Sequence, residues 1–151
     1  EDTCTLIKRG MKILKLKFGK YLKEYFEIIV ENFKSVMMGS YLYAIEVATR
    51  IFTGEEEYKI LIEDAIKKIS PILQEKIEQN FDVMQESTIT EDYYGLLFAM
   101  AKYNPKGLIK INFEKDLQLA MKLLPIAPKK TTKVITYFLE SLLLSCSLST
   151  Q

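Results

Sequence analysis

The chain has 151 residues, 48% of them hydrophobic and 27% charged, enough apolar surface to bury a core and outside the range of disordered chains. Its 21 Lys and Arg nearly balance 20 Asp and Glu, so the overall charge gives no argument for a nucleic-acid or membrane partner. Histidine is absent; without the usual general base near neutral pH, a Ser-His or Cys-His site within these residues is excluded.

From about Thr3 to Phe18, Ile7, Met11, Leu14 and Phe18 recur at helical spacing, with Lys8, Lys12 and Lys15 on an adjacent stripe. Gly19 predicts a stop. A second helix follows from Lys20 to Met37, with Leu22, Tyr25, Phe26, Ile29, Phe33, Val36 and Met37 on its apolar face. Gly39-Ser40 interrupts the pattern, and Ser40 is placed to cap a third helix that buries Tyr41, Ala44, Ile45, Ala48, Ile51 and Phe52 and ends at Gly54.

The fourth helix is the longest, from about Glu55 to Phe81. Glu55, Glu56 and Glu57 complement the positive end of its dipole, and Pro71 is expected to kink a rod about 40 Å long. In the next stretch Tyr93, Leu96, Leu97 and Met100 share one face, with Thr90 expected as the N-cap and Asn104-Pro105 as the stop. A short connector holding Gly107 leads to a helix capped by Asn112, with Phe113, Leu117, Ala120, Met121 and Leu124 as its apolar stripe and Pro125 as its end. Lys129 to Cys146 supplies a seventh helix, with Ile135, Phe138, Leu139, Leu142 and Cys146 facing inward.

Seven helices joined by short turns, with no alternating β pattern, place the chain in the all-α class. Helix starts at Ser40, Thr90 and about Lys129 are spaced by about 50 and about 40 residues, near the 40–47 of HEAT and armadillo units and far from the 34 of the tetratricopeptide unit. The expected architecture is a HEAT-like α-α superhelix, a solenoid of about three and a half antiparallel helix pairs over residues 1–151. Glu1 in place of Met, with a pattern that starts and stops partway, suggests a fragment of a longer solenoid, and processing would give the same appearance. Its last helix would then lack a neighbour, and either a contact through Phe138, Leu142, Leu143 and Leu144 or poor solubility is expected.

No catalytic, cofactor or metal residue is assigned. The pairs Glu55 to Glu57 and Glu91-Asp92 sit where helix starts favour acids anyway. Cys4 and Cys146 have no metal-ligand spacing and read as free thiols of a reducing compartment, with a disulfide between them as the lesser alternative. No run reaches the roughly 18 uninterrupted apolar residues of a membrane span, and the start lacks the form of a signal peptide. Lys8, Arg9, Lys12, Lys15, Lys17, Lys20 and Lys23, with Tyr21 and Tyr25 nearby, have the density of a phosphate-binding surface. A solvated helix face explains them better, because Arg9 and Arg50 are the only arginines. Lys129 and Lys130 stand at the predicted helix start, where positive charge is unfavourable, with the preceding loop as the alternative place for them.

The stretches YLYAIEVATRIFTGEEEYKILIEDAIKKISPILQEKI, ITEDYYGLLFAMAKYNPKGLI, FEKDLQLAMKLLP and KVITYFLESLL resemble, in order and wording, the carboxy-terminal half of the importin-β-type nuclear transport receptors (karyopherins), in the transportin-SR branch. The likeness runs from about Met11 onward. It implies a non-enzymatic import receptor that shuttles between cytoplasm and nucleus, carries protein cargo through the pore, touches nucleoporins and releases cargo when Ran-GTP binds. That branch is known for an arginine-rich helix, which a segment with only Arg9 and Arg50 cannot contain. No cargo or Ran contact is therefore carried over to a residue here. The competing reading is a HEAT-repeat scaffold or regulatory subunit unrelated to transport; single-stranded RNA binding through Lys8 to Lys23 is third.

Overall fold

The structure is a computed structural model that describes residues 2–84 and 87–148, with side chains 2–4, 83 and 146–148 left out of the description. The apolar periodicity carries through: the described residues form helices without a strand, so the fold is all-α. Seven helices have ten residues or more: α1 (Asp2–Leu14), α2 (Leu22–Ser35), α3 (Gly39–Phe52), α4 (Glu56–Gln79), α6 (Thr88–Tyr103), α8 (Glu114–Leu123) and α9 (Lys129–Leu148). Two short ones, α5 (Phe81–Met84) and α7 (Pro105–Lys110), lie between them.

Several boundaries differ from those the sequence predicts. The first helix ends at Leu14, because Lys15 takes a left-handed backbone (φ 46°) and starts a 3₁₀ helix, Lys15–Tyr21. Leu14 is thereby left 46% exposed, off the inner face. Gly19 lies inside that 3₁₀ helix, where a Cβ would collide with the Tyr58 ring.

The N-cap of α6 is Ser87, whose extended backbone (φ −77°, ψ 133°) suits the role and whose Oγ accepts from the Ile89 N–H at 3.3 Å. Thr90 is instead fully buried in the first turn, and its hydroxyl donates to the Met84 carbonyl at 2.6 Å.

The connector after Asn104 is a helix in its own right. Asn104 Oδ1 accepts from the Gly107 N–H at 3.1 Å, and Pro105 occupies the first turn, where its missing donor costs nothing. Asn112 ends this corner in a left-handed conformation (φ 58°) and caps nothing. The buried face of α8 is Asp116, Leu119, Ala120 and Leu123, and Met121 is 59% exposed. The stripe is rotated because Asp116, an ionisable residue, goes inward.

The long helices alternate between two rows in chain order. In the first row α1 packs on α3, α3 on α6 and α6 on α9, the last two contacts being the most extensive in the molecule. In the second row α2 packs on α4, and α4 on α8. Helices α3 and α6 are therefore enclosed: Leu42, Ile45, Ala48 and Phe52 of α3 and Tyr93, Tyr94, Leu97 and Met100 of α6 are fully buried. Each large apolar side chain so buried contributes about 1.5–3 kcal/mol. Ring contacts join neighbours across the interfaces, Phe33 to Tyr41 at 6.4 Å, Phe52 to Tyr58 at 5.6 Å and Tyr94 to Phe138 at 5.9 Å between centroids. Phe138 thus faces α6; of the four residues expected on the outer face of α9, Leu143 and Leu144 are the exposed ones.

Candidate functional site

The first row presents one outer surface, built from the residues that α3, α6 and α9 leave open to solvent around the largely buried Glu46. On α3 the spacing of Tyr43, Glu46 and Arg50 by three and four residues puts them on one stripe. Arg50 donates through Nε and Nη2 to Glu46 Oε1 at 3.0 and 2.6 Å, and its guanidinium lies 5.8 Å from the Tyr103 ring of α6. On the α1 side, the Lys8 ammonium sits 4.3 Å from the Tyr43 ring centre. On the far side Phe98 of α6 meets Tyr137 of α9 at 6.0 Å, with Lys102 and Lys133 over the two rings.

An acidic patch lies in the middle. Glu91 binds Lys130 Nζ at 2.6 Å and accepts from the Thr131 hydroxyl at 3.2 Å, which ties α9 to the start of α6. The carboxylate raises the Lys130 pKa through its hydrogen bond and its charge. Burial, and then the neighbouring Glu46 and Glu91 charges, raise the pKa of Asp92. The helices approach closely here: a Cβ on Gly39 would collide with the Asp92 side chain, and one on Gly95 would sit 3.4 Å from Glu46 Oε2. Half-exposed rings interleaved with cations and acids make the kind of surface that recognises proteins, where aromatic and arginine side chains supply most of the binding energy.

A second feature is a cleft of about 370 Å³ between α4 and the corner formed by α6 and α7, lined by Thr53, Lys59, Glu63, Tyr103, Lys106 and Lys110 among others. Its floor is a closed network. Buried Glu63 accepts from Asn104 Nδ2 at 3.1 Å and pairs with Lys110 at 3.3 Å. At the rim Glu56 pairs with Lys59 at 2.9 Å, and its pKa is lowered first by that hydrogen bond.

The residues singled out in the sequence fall into place as follows. Glu55 is the backbone N-cap of α4, with Glu56 and Glu57 in its first turn. The basic cluster is divided: Lys8, Arg9 and Lys12 belong to α1, Lys15, Lys17 and Lys20 to the 3₁₀ helix, and Lys23 to α2. Tyr25 is buried and cannot serve as a stacking platform, whereas Tyr21 is exposed and lies edge-on to Phe18. Lys129 and Lys130 open α9 and are not in the loop; Glu91 offsets the unfavourable charge of Lys130 there. The side chains of Cys4 and Cys146 lie outside the described residues. Among the described residues no His, Cys, Asp and Glu group could hold a metal ion, and no helix is long and apolar enough to cross a membrane.

Two buried acids that the sequence did not mark are Glu63 and Asp116, each bonded to another helix, Glu63 through Asn104, which the sequence marked only as a stop. Buried acids have no local signature; only the tertiary partners reveal them. Comparison with protein-family models, curated proteins and solved structures finds no match.

Proposed function

We propose that the chain is a segment of an α-α solenoid of HEAT-like pairs whose work is protein binding, and that it belongs to a nuclear import receptor carrying protein cargo under Ran-GTP control. The observation that carries the solenoid is the alternation of the long helices between two rows in chain order. Stacked helix pairs require that order, since each unit covers the apolar face of the next. The surface across α3, α6 and α9 supports a binding role, because its rings and charges are held in place by neighbours on adjacent helices. The transport reading rests on the resemblance of the carrying stretches to the karyopherins, with cargo, Ran and nucleoporins as the implied partners and shuttling between cytoplasm and nucleus as the implied location.

The scaffold reading uses the same core and differs in its partners. The two separate in one experiment, capture of the protein that contains this segment on immobilised Ran loaded with a non-hydrolysable GTP analogue or with GDP. Retention on the GTP form alone is expected. Equal retention or none on both would remove the transport reading and favour the scaffold.

A further inference from the structure

Among the seven long helices α8 is the shortest, ten residues from Glu114 to Leu123. The chain enters it through left-handed Asn112. An open depression of about 460 Å³, lined by Glu78, Phe81, Leu119 and Lys122, lies between it and the end of α4. Alongside Leu119, Ala120 and Leu123 it buries a carboxyl group, Asp116, which has no solvent exposure. The Tyr93 hydroxyl donates to Asp116 Oδ1 at 2.7 Å, and the Tyr94 hydroxyl donates to the Asp116 backbone carbonyl at 3.0 Å. Oδ2 has no hydrogen-bond partner within 3.5 Å among the described residues. An ionised carboxyl here would be buried with one oxygen unsatisfied, a state far costlier than the neutral acid.

The groups that face Asp116 offset its burial only in part. From α6 come the two tyrosine hydroxyls, kept neutral because burial, and then Asp116 itself, push their pKa values up. From α4 come uncharged Gln74, whose hydrogen bond lowers the Asp116 pKa against the larger effect of burial, and uncharged Ser70 beside Tyr93. On α8, the Lys115 charge lowers the Asp116 pKa, but least of the causes, and its ammonium is paired with Glu78 of α4 at 2.9 Å.

We propose that α8 is a proton-operated latch on the junction of α4 and α6, seated while Asp116 is protonated and loosened when it ionises. The proton leaves to solvent as the helix loosens, and water replaces the missing partner of the carboxylate. Burial pushes the Asp116 carboxyl up to about 6, so the change falls within the pH range of cells. The latch does not depend on the transport reading.

Hydrogen exchange of the amides of residues 114–123, corrected for intrinsic pH dependence and referenced to α3, tests it. From pH 5 to pH 7.5 the protection of α8 is expected to fall about tenfold relative to α3, from a carboxyl near 6 when seated and near 3.8 when free. Asp116→Asn, which keeps an acceptor for Tyr93 without the charge, is expected to hold its protection at both pH values. Carbon-13 titration of the wild-type Asp116 carboxyl gives a readout that does not depend on the variant folding, with a midpoint near 6 expected. A midpoint at the ordinary carboxyl value, protection that is independent of pH in the wild type, or an equal loss of protection in Asp116→Asn would overturn the latch.

Discussion

Glu63 and Asp116 are both buried acids, yet opposite outcomes are expected from neutralising their surroundings. Glu63 has its oxygens met by Asn104 and Lys110. Asn104→Ala removes the cap of α7 and one of those partners, and is expected to cost about 1–3 kcal/mol in urea denaturation. Asp116 has one oxygen met by Tyr93 and no ion pair of its own, and burial outweighs the rest. Its pKa is raised in the folded state, chiefly by burial, so the native protein binds that proton more tightly than the unfolded chain does. The associated stability is present at low pH and is lost as pH rises through about 6. Wild-type stability should therefore climb between pH 7 and pH 5 through this group. Asp116→Asn should lack that slope and be more stable at pH 7.5 by about 2–3 kcal/mol. Neither acid was legible in the sequence. Asp116 carries no mark there, since the tyrosines that receive it lie in another helix, and Glu63 and Asn104 are likewise joined across two helices.

At the scale of elements, apolar periodicity made all seven long helices readable, because burying one face imposes a helical repeat on each. The corner at Asn104-Pro105 was read as a stop, although the same two residues also start a helix: asparagine caps and proline suits the first turn. Gly107 shows why that corner is tight. A Cβ there would collide with the side chains of Asn104 and Glu63, whereas one at Gly54 would meet open space. Gly107→Ala is expected to lower stability by about 1–3 kcal/mol through overpacking, with Gly54→Ala close to neutral; thermal melts of the two variants compare them. The Lys15 break was not legible, since a lysine in a left-handed backbone leaves no compositional mark.

For the whole molecule, spacing of the helix starts suggested recurring pairs, but which helix touches which depends on surfaces far apart in the chain. The row α1, α3, α6, α9 emerges only from packing. Its last helix keeps Leu143 at 70% and Leu144 at 65% exposure. Self-association through that pair is expected at high concentration, and replacing both with Glu should reduce it in sedimentation velocity without lowering the melting temperature. Helix axes pack 8–10 Å apart, so three successive steps along the row place α1 and α9 roughly 25–30 Å from each other, whereas a closed bundle would bring them into contact. Electron-electron distance measurement between spin labels at Arg9→Cys and Glu140→Cys, with Cys4 and Cys146 replaced by Ser, tests the open two-row array directly. A distribution centred near 30 Å is expected, and one centred near 10–15 Å, the spacing of adjacent helices with their labels, would contradict it.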